Sequence, residues 1–183
     1  AAATADIAIF YRLASTVDVL RSIADCQSMG VLTVYEIDDF VFDETAFPDS
    51  LESYAGAISP EEHIDLRAGV ALVRHAITAC DAAIASTKAL AERLRPLVRA
   101  NISFVHRNGL SKSLGAIARA HAASPPPAHA PVTLFYGSNT RAHGADFRDL
   151  LVPALTSLMT EFPRVRFVAC GHVDATALAA RFP

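Results

Sequence analysis

The stretch Val31-Leu-Thr-Val-Tyr35, followed at once by Glu36-Ile-Asp-Asp39, decides the predicted fold of this chain. A short apolar run of this kind indicates a buried strand of a parallel sheet. Similar runs lie on both sides of it, separated by stretches with helical patterns. The predicted strands are Ile7–Tyr11, Val31–Tyr35, Ala82–Ala85 and Ile102–Val105, and the predicted helices are Ser15–Met29, Ser59–Cys80 and Thr87–Val98. This alternation predicts an α/β fold with Rossmann-like parallel sheets that flanking helices cover on both faces.

The clearest helix start in the sequence is Ser59-Pro-Glu-Glu62. It offers an N-cap serine, a proline at the first helical position and a glutamate placed for a capping box. We therefore expect the Ser59 and Glu62 side chains to satisfy each other's backbone N–H groups.

The composition changes at Ser124-Pro-Pro-Pro-Ala-His-Ala-Pro131, a proline-rich stretch with a restricted backbone. Beyond it the same pattern restarts, with a strand over Val132–Tyr136, a helix over most of Gly144–Glu161 and a strand over Val165–Cys170. We therefore predict one α/β domain over residues 1–123, a linker over 124–131 and the first part of a second α/β domain over 132–183.

The composition of the 183 residues excludes several classes of protein. Hydrophobic residues make up 52% and charged residues 19%, whereas disordered chains combine low hydrophobicity with high net charge. The net charge of −3 gives no basic face, so no nucleic-acid partner is expected. No apolar run reaches the roughly 18 residues of a membrane span, so no transmembrane segment is predicted. Three scattered cysteines indicate buried, reduced thiols in a cytoplasmic protein and no metal site.

Ligands of open parallel sheets bind beyond the carboxyl ends of the strands, so the residues that follow each predicted strand are candidate site residues. They are Arg12, Glu36, Asp38, Asp39, Ser86, Thr87, His106, Arg107, Asn108 and the turn residue Gly109 in the first series, and His172 in the second. Neighbouring strand residues face opposite ways, so at most one of Asp38 and Asp39 is expected to face a site. These carboxylates could hold Mg²⁺, act as a base or bind sugar hydroxyls, or they could simply begin a solvated loop.

The loop Gly137-Ser-Asn-Thr-Arg-Ala-His143 is the strongest candidate for an anion site. A turn that begins with glycine between a strand and a helix directs backbone N–H groups outward, and the helix adds its positive end. Arg141 could add a bidentate contact to a phosphate. The loop has neither a P-loop nor a dinucleotide-binding pattern, so a plain turn capped by Ser138 or Thr140 stays open.

Several of these strand ends resemble those of GT-B-fold glycosyltransferases, close to the family-4-like (group 1) bacterial enzymes. Three stretches are similar to the N-terminal lobe: Val34-Tyr-Glu-Ile-Asp-Asp39, Cys80-Asp-Ala-Ala-Ile-Ala-Ser-Thr87 and Val105-His-Arg-Asn-Gly-Leu110. Two are similar to the start of the C-terminal lobe: Phe135-Tyr-Gly-Ser-Asn-Thr-Arg-Ala-His143 and Val165-Arg-Phe-Val-Ala-Cys-Gly-His172. The resemblance covers nearly the whole chain and depends on the order and spacing of the motifs. It implies an incomplete GT-B two-lobe arrangement.

The resemblance implies transfer of a sugar from a nucleotide-sugar donor to an acceptor that is a glycan, a lipid-linked molecule or a protein. Asp38 and Asp39 would be the catalytic residues, facing the acceptor or the reacting sugar. Gly137, Ser138, Thr140, Arg141 and His143 would bind the donor diphosphate, and Arg12, Ser86, Asn108, Gly109 and His172 would line the cleft. Members of the family are usually metal-independent, so the resemblance implies no cofactor besides the donor substrate and no metal.

The chain also departs from the family pattern. The C-lobe pair of glutamates, eight residues apart, would lie beyond Pro183, the first N-lobe strands would precede Ala1, and the basic pair of the first C-lobe loop is reduced to Arg141. We therefore expect an internal part of a longer enzyme, cytoplasmic or peripheral to the inner membrane, with the 183 residues alone inactive. Two other classes stay open: a non-catalytic α/β binding or structural lobe of a larger protein, and a receiver-like phosphoacceptor domain.

Overall fold

The computed structural model describes residues 4–54, 56–123, 127, 130–139 and 144–182. The chain forms two compact units, Ala1–Pro48 with Ile64–Leu110 and Asp49–His63 with Ser111–Pro183. The first unit contains a parallel sheet of four strands and the second a parallel sheet of two. The predicted α/β class with Rossmann-like parallel sheets and flanking helices is therefore confirmed.

The first unit alternates strands and helices in the predicted order. The strands are β1 (Ile7–Tyr11), β2 (Leu32–Ile37), β3 (Ala82–Ala85) and β4 (Ile102–Val105), and the helices are α1 (Val17–Ser28), α2 (Pro60–Ala79) and α3 (Lys88–Leu94). The first residues of α2, up to His63, belong to the second unit. β2 extends to Ile37, beyond the predicted end, because Glu36 and Ile37 pair with β3. α3 ends well before the predicted Val98, since Pro96 has no N–H to continue the helix.

Local capping signals fix where two of the helices begin. The amide of Ser59 donates to Glu62 at 2.7 Å, and the amide of Glu62 donates to the Ser59 hydroxyl at 3.1 Å. The predicted capping box at the start of α2 is thus confirmed. α1 begins after Thr16, whose hydroxyl accepts from Val19, and not at the predicted Ser15.

The strand order β1-β2-β3-β4 decides which face of the first sheet is covered. Right-handed crossovers between consecutive neighbours place α1, α2 and α3 on the same face. Phe10, Tyr35 and Ala83 face these helices and belong to one buried core. On the other face of the edge strands, Ile9 and Phe104 are each 55% exposed. For the residues that the structure describes, the expectation that helices cover both faces of this sheet is therefore wrong, because consecutive strand order does not reverse the side of the crossover.

A partly buried polar network around Asp81 connects α1, β2 and β3 at the amino end of the sheet. The Asp81 carboxylate accepts from the Thr33 hydroxyl at 2.7 Å and from the Thr33 amide at 3.1 Å. Gln27 donates to the Thr33 hydroxyl and to the Ala79 carbonyl. Burial raises the pKa of Asp81, but the hydrogen bonds from Thr33 outweigh this effect, so the pKa is lowered overall.

The second unit has its own smaller core. Its elements are a 3₁₀ helix (Leu51–Tyr54), α4 (Lys112–Ala122), β5 (Val132–Ser138), α5 (Gly144–Asp146), a π-helix (Phe147–Leu151), α6 (Val152–Glu161), β6 (Val165–Gly171) and α7 (Thr176–Arg181). Phe147, Leu155 and Leu178 form the buried centre. α4 and α7 are not among the helices that the sequence pattern predicts. Much of the predicted linker lies outside the described residues, and the domain boundaries stay a prediction.

The cysteines are free, and two of them are buried. Burial raises the pKa of Cys80 to about 12, so this thiol is un-ionised at neutral pH. Cys170 is exposed, so the expectation of a buried thiol is wrong there, because β6 has exposed side chains along most of its length. Across the described residues, none of the helices combines the length and the apolar character that a membrane crossing requires.

Candidate functional site

Asp38 is the centre of a polar cluster at the carboxyl edge of the four-stranded sheet. Its carboxylate accepts from Arg12 at 3.1 Å and from the Asn108 side-chain amide at 3.3 Å. Its backbone carbonyl accepts from the Ser86 hydroxyl at 3.3 Å. These partners follow β1, β4 and β3, so the parallel register brings four strand ends to one aspartate. Four of the predicted site residues thus lie together.

Arg12 joins this cluster to Asp39. Its second guanidinium nitrogen lies 2.6 Å from the Asp39 carboxylate. Burial lowers the pKa of Arg12, but the charge of Asp39, a side-chain hydrogen bond with Tyr11 and the charge of Asp38 outweigh burial and raise the pKa overall. Arg12 therefore contacts both aspartates, and which of them faces a ligand stays a prediction. β2 ends at Ile37 and the chain bends there, so strand alternation no longer separates Asp38 from Asp39.

The backbone of Arg12 is held in an unusual conformation. Its φ is 50°, in the left-handed region, and its amide donates to the Glu36 carbonyl at 3.0 Å. An L-residue with a side chain is disfavoured there by roughly 1–2 kcal/mol. Such backbone conformations cluster at functional sites, where the surrounding structure maintains them. In this conformation the Arg12 side chain contacts Asp38 and Asp39.

We expect Arg12→Gly to be more stable than Arg12→Ala by about 1 kcal/mol, because glycine tolerates a positive φ and alanine does not. Both variants lose the same ion pairs, so their difference isolates the backbone. Urea unfolding of the two variants measures it. The matched control is Arg67, an exposed residue inside α2, where the order should reverse because alanine favours a helix. An alanine variant at position 12 as stable as the glycine variant would contradict the strained conformation.

A pocket of about 350 Å³ lies beside this cluster, at the ends of β3 and β4. Its lining residues are Ser86, Thr87, Lys88, Arg107 and Asn108. Thr87 caps α3 by accepting from Leu90 at 3.2 Å. Thr87 and Arg107 are among the candidate site residues predicted from the strand ends, whereas Lys88 is not. The sequence feature that could have identified Lys88 is its position directly after Ser86 and Thr87, at the end of a predicted strand.

Gly109 follows the pocket residues but does not form the predicted turn with Asn108. Residues 106–110 are irregular, and Gly109 does not have a positive φ. A Cβ atom built on Gly109 would meet no other atom within 4 Å. The conformation here does not require glycine. The loop is held instead by the amide of His106, which donates to the Ala85 carbonyl at 2.9 Å.

The candidate residues of the second unit lie at the paired ends of β5 and β6. Gly137 and Ser138 are strand residues opposite Cys170 and Gly171, so the predicted turn does not begin at Gly137. The amide of His172 donates to the Ser138 carbonyl at 2.8 Å. Gly171 has a φ of 84°, and any side chain there would collide with the Ser138 carbonyl. Thr140, Arg141 and His143 lie outside the described residues.

The chemistry of the first-unit site is that of polar recognition. Asp38 and Asp39 present partly exposed carboxylates, with 27% and 50% of their side chains exposed. Arg12, Ser86 and Asn108 orient Asp38 by direct contact. Within the described ranges, no group of three or more histidine, cysteine, aspartate or glutamate side chains could hold a metal ion.

Comparisons of this chain with protein-family models, with curated proteins and with solved structures find no match. A fold of this class supports many unrelated activities, so fold alone does not indicate one. The geometry of the site is the remaining indication of function: an aspartate at the carboxyl edge of a parallel sheet, oriented by side chains from three other strand ends.

Proposed function

We propose that this chain is part of a cytoplasmic glycosyltransferase that moves a sugar from a nucleotide-sugar donor to a hydroxyl group of an acceptor. The acceptor would be a glycan, a lipid-linked molecule or a protein. The observation that carries the proposal is the convergence of Arg12, Ser86 and Asn108 on Asp38 at the carboxyl edge of the sheet. Ligands of open α/β sheets bind at this edge, and carboxylate, amide and guanidinium groups match the hydroxyl groups of sugars.

In this proposal Asp38 accepts a hydrogen bond from the acceptor hydroxyl. The hydroxyl oxygen attacks the anomeric carbon of the donor sugar, the bond to the nucleotide diphosphate breaks, and the diphosphate leaves with the bonding electrons. The carboxylate takes up the proton of the hydroxyl as a general base. Arg12 and Asn108 keep the carboxylate in place through their contacts at 3.1 and 3.3 Å. Asp39 acts indirectly, by holding the other guanidinium nitrogen of Arg12.

The second unit would contribute to binding the donor. Gly137 and Ser138 end β5, and Thr140, Arg141 and His143 follow in the sequence. A strand end followed by a helix is a common arrangement for diphosphate binding. The resemblance of this stretch to glycosyltransferases supports the assignment of the donor diphosphate to it.

Calorimetric titration of the full-length protein with a panel of nucleotide sugars tests the proposal. We expect one nucleotide sugar to bind better than its free nucleoside and its free sugar. Release of nucleoside diphosphate should then depend on added acceptor. If no member of the panel binds, or if a bound nucleotide sugar is never turned over with any class of acceptor, the proposal fails.

A second candidate is a binding lobe without catalysis. It is favoured by the way Arg12 bridges Asp38 and Asp39, because a carboxylate engaged by a guanidinium is a weaker base. The same titration separates the two candidates. A binding lobe would bind a sugar-containing ligand and release no nucleoside diphosphate.

A further inference from the structure

We propose that the pocket lined by Ser86, Thr87, Lys88, Arg107 and Asn108, here called the anion pocket, binds an anionic group on the acceptor. The group would be a phosphate monoester or a carboxylate of a small polar molecule. This inference deepens the proposed glycosyltransferase function by naming the chemical class of its acceptor.

The charges of the anion pocket support an anionic ligand. Among the described residues that line it, Lys88 and Arg107 are cations and none is a carboxylate. In the part of the chain that the structure describes, the Arg107 side chain makes no hydrogen bond or ion pair. Lys88 pairs with Glu92 at 3.8 Å, with both side chains more than half exposed. An exposed pair of this kind contributes little, so an anion can replace Glu92 at small cost.

The neutral residues of the anion pocket add a hydrogen-bond donor. The Thr87 hydroxyl oxygen accepts from the Leu90 amide, which leaves its proton for a ligand. The Ser86 hydroxyl, in contrast, donates to the Asp38 carbonyl. A phosphate or carboxylate has only acceptor oxygens at neutral pH, and it suits two cations and a hydroxyl donor.

The anion pocket lies next to Asp38, because the two share Asn108. Asn108 lines the pocket and donates to the Asp38 carboxylate at 3.3 Å. Arg12 lies 3.1 Å from the same carboxylate and also contacts Asp39, so it offsets part of their negative charge and reduces the repulsion of a nearby anion. The volume of about 350 Å³ falls within the range of small-molecule sites. A ligand of sugar size could therefore place its anionic group on Lys88 and Arg107 and a hydroxyl near Asp38.

Titration of the full-length protein at one fixed ionic strength tests this inference without any nucleotide sugar. The probes are inorganic phosphate, glucose 6-phosphate, glucuronate and glucose, followed by NMR shifts of the backbone amides around Lys88 and Arg107. We expect glucose 6-phosphate or glucuronate to bind with shifts at these amides, and glucose to cause none. The stronger of the two anionic probes identifies the group as a phosphate or a carboxylate.

Two variants that each remove one positive charge test the anion pocket more specifically. Lys88→Gln and Arg107→Gln should each weaken binding of the anionic probe about tenfold, as expected for loss of one charge-assisted hydrogen bond. The control is Arg95→Gln, which removes an exposed cation just beyond the other end of α3 and should leave binding unchanged. Equal unfolding midpoints show that the variants are folded.

Equal weakening in all three variants would mean general electrostatic attraction and would overturn the inference, as would the absence of shifts with either anionic probe. These outcomes differ from failure of the proposed function. Site-specific binding of the anion without any sugar transfer would support the anion pocket while refuting the glycosyltransferase. Transfer to an acceptor with no change in KM for Lys88→Gln and Arg107→Gln would refute the pocket alone.

Discussion

Replacing Asp38 with asparagine is expected to lower the rate of sugar transfer about a hundredfold, at the lower end of the effect of a general base. Asparagine keeps the size and the acceptor oxygen of the side chain, so the contact with Arg12 at 3.1 Å can persist in part. It cannot take up the proton of an acceptor hydroxyl. Binding of nucleoside diphosphate should not change, because the proposal assigns the diphosphate to the second unit. Initial rates and calorimetry on the full-length protein measure the two quantities separately.

The matched control for this prediction is Asp65→Asn, which removes an exposed carboxylate on α2. It should leave the rate of transfer within about twofold of that of the wild type, as expected for surface substitutions. Transfer by Asp38→Asn at the rate of the control would show that Asp38 is not the base. A parallel loss of nucleoside diphosphate binding would instead place Asp38 in the donor site.

Asp81→Ala is expected to lower the free energy of unfolding by about 3 kcal/mol. The carboxylate accepts two hydrogen bonds from Thr33, which is fully buried. Alanine would leave the amide and the hydroxyl of Thr33 short of a partner in the core, and an unsatisfied buried polar group costs about 1–3 kcal/mol. Loss of the ion pair with Arg99 at 3.4 Å adds little, because that arginine is more than half exposed. Urea unfolding of the wild type and the variant at neutral pH gives the difference.

Asp81→Asn separates the charge of this carboxylate from its shape. The pKa of Asp81 is lowered in the folded chain from its ordinary value of 3.8. A carboxyl group with a lowered folded pKa stabilises the fold fully above its unfolded pKa, and this contribution is lost as the pH falls through the folded pKa. The stability difference between wild type and Asp81→Asn should therefore be largest near neutral pH and shrink below about pH 4. A difference that stays constant into the acid range would contradict the assignment to the ionised carboxylate.

Local features of the fold could be predicted because their causes lie within a few residues. The capping box of Ser59 and Glu62 spans one helical turn, and it forms as the sequence indicates. The apolar runs before Asp38, Ser86 and His106 mark strands because a buried parallel strand needs little more than continuous apolar residues. The predicted end of α3 at Val98 is wrong because the helical pattern continues past Pro96, whereas the helix ends at Leu94.

The sequence by itself therefore determined the α/β class, the order of strands and helices up to β4, and the strand ends that carry Arg12, Asp38, Ser86 and Asn108. Only the tertiary structure decided how these residues meet. Asp38 contacts partners 26 and 70 positions away in the chain, and such contacts depend on which strands are neighbours and in which register. Lys88 and Arg107 likewise line one pocket because the strands that precede them, β3 and β4, are neighbours in the sheet. Periodicity and capping describe a residue's near neighbours, whereas a site at a sheet edge is made by packing elements that are distant in sequence.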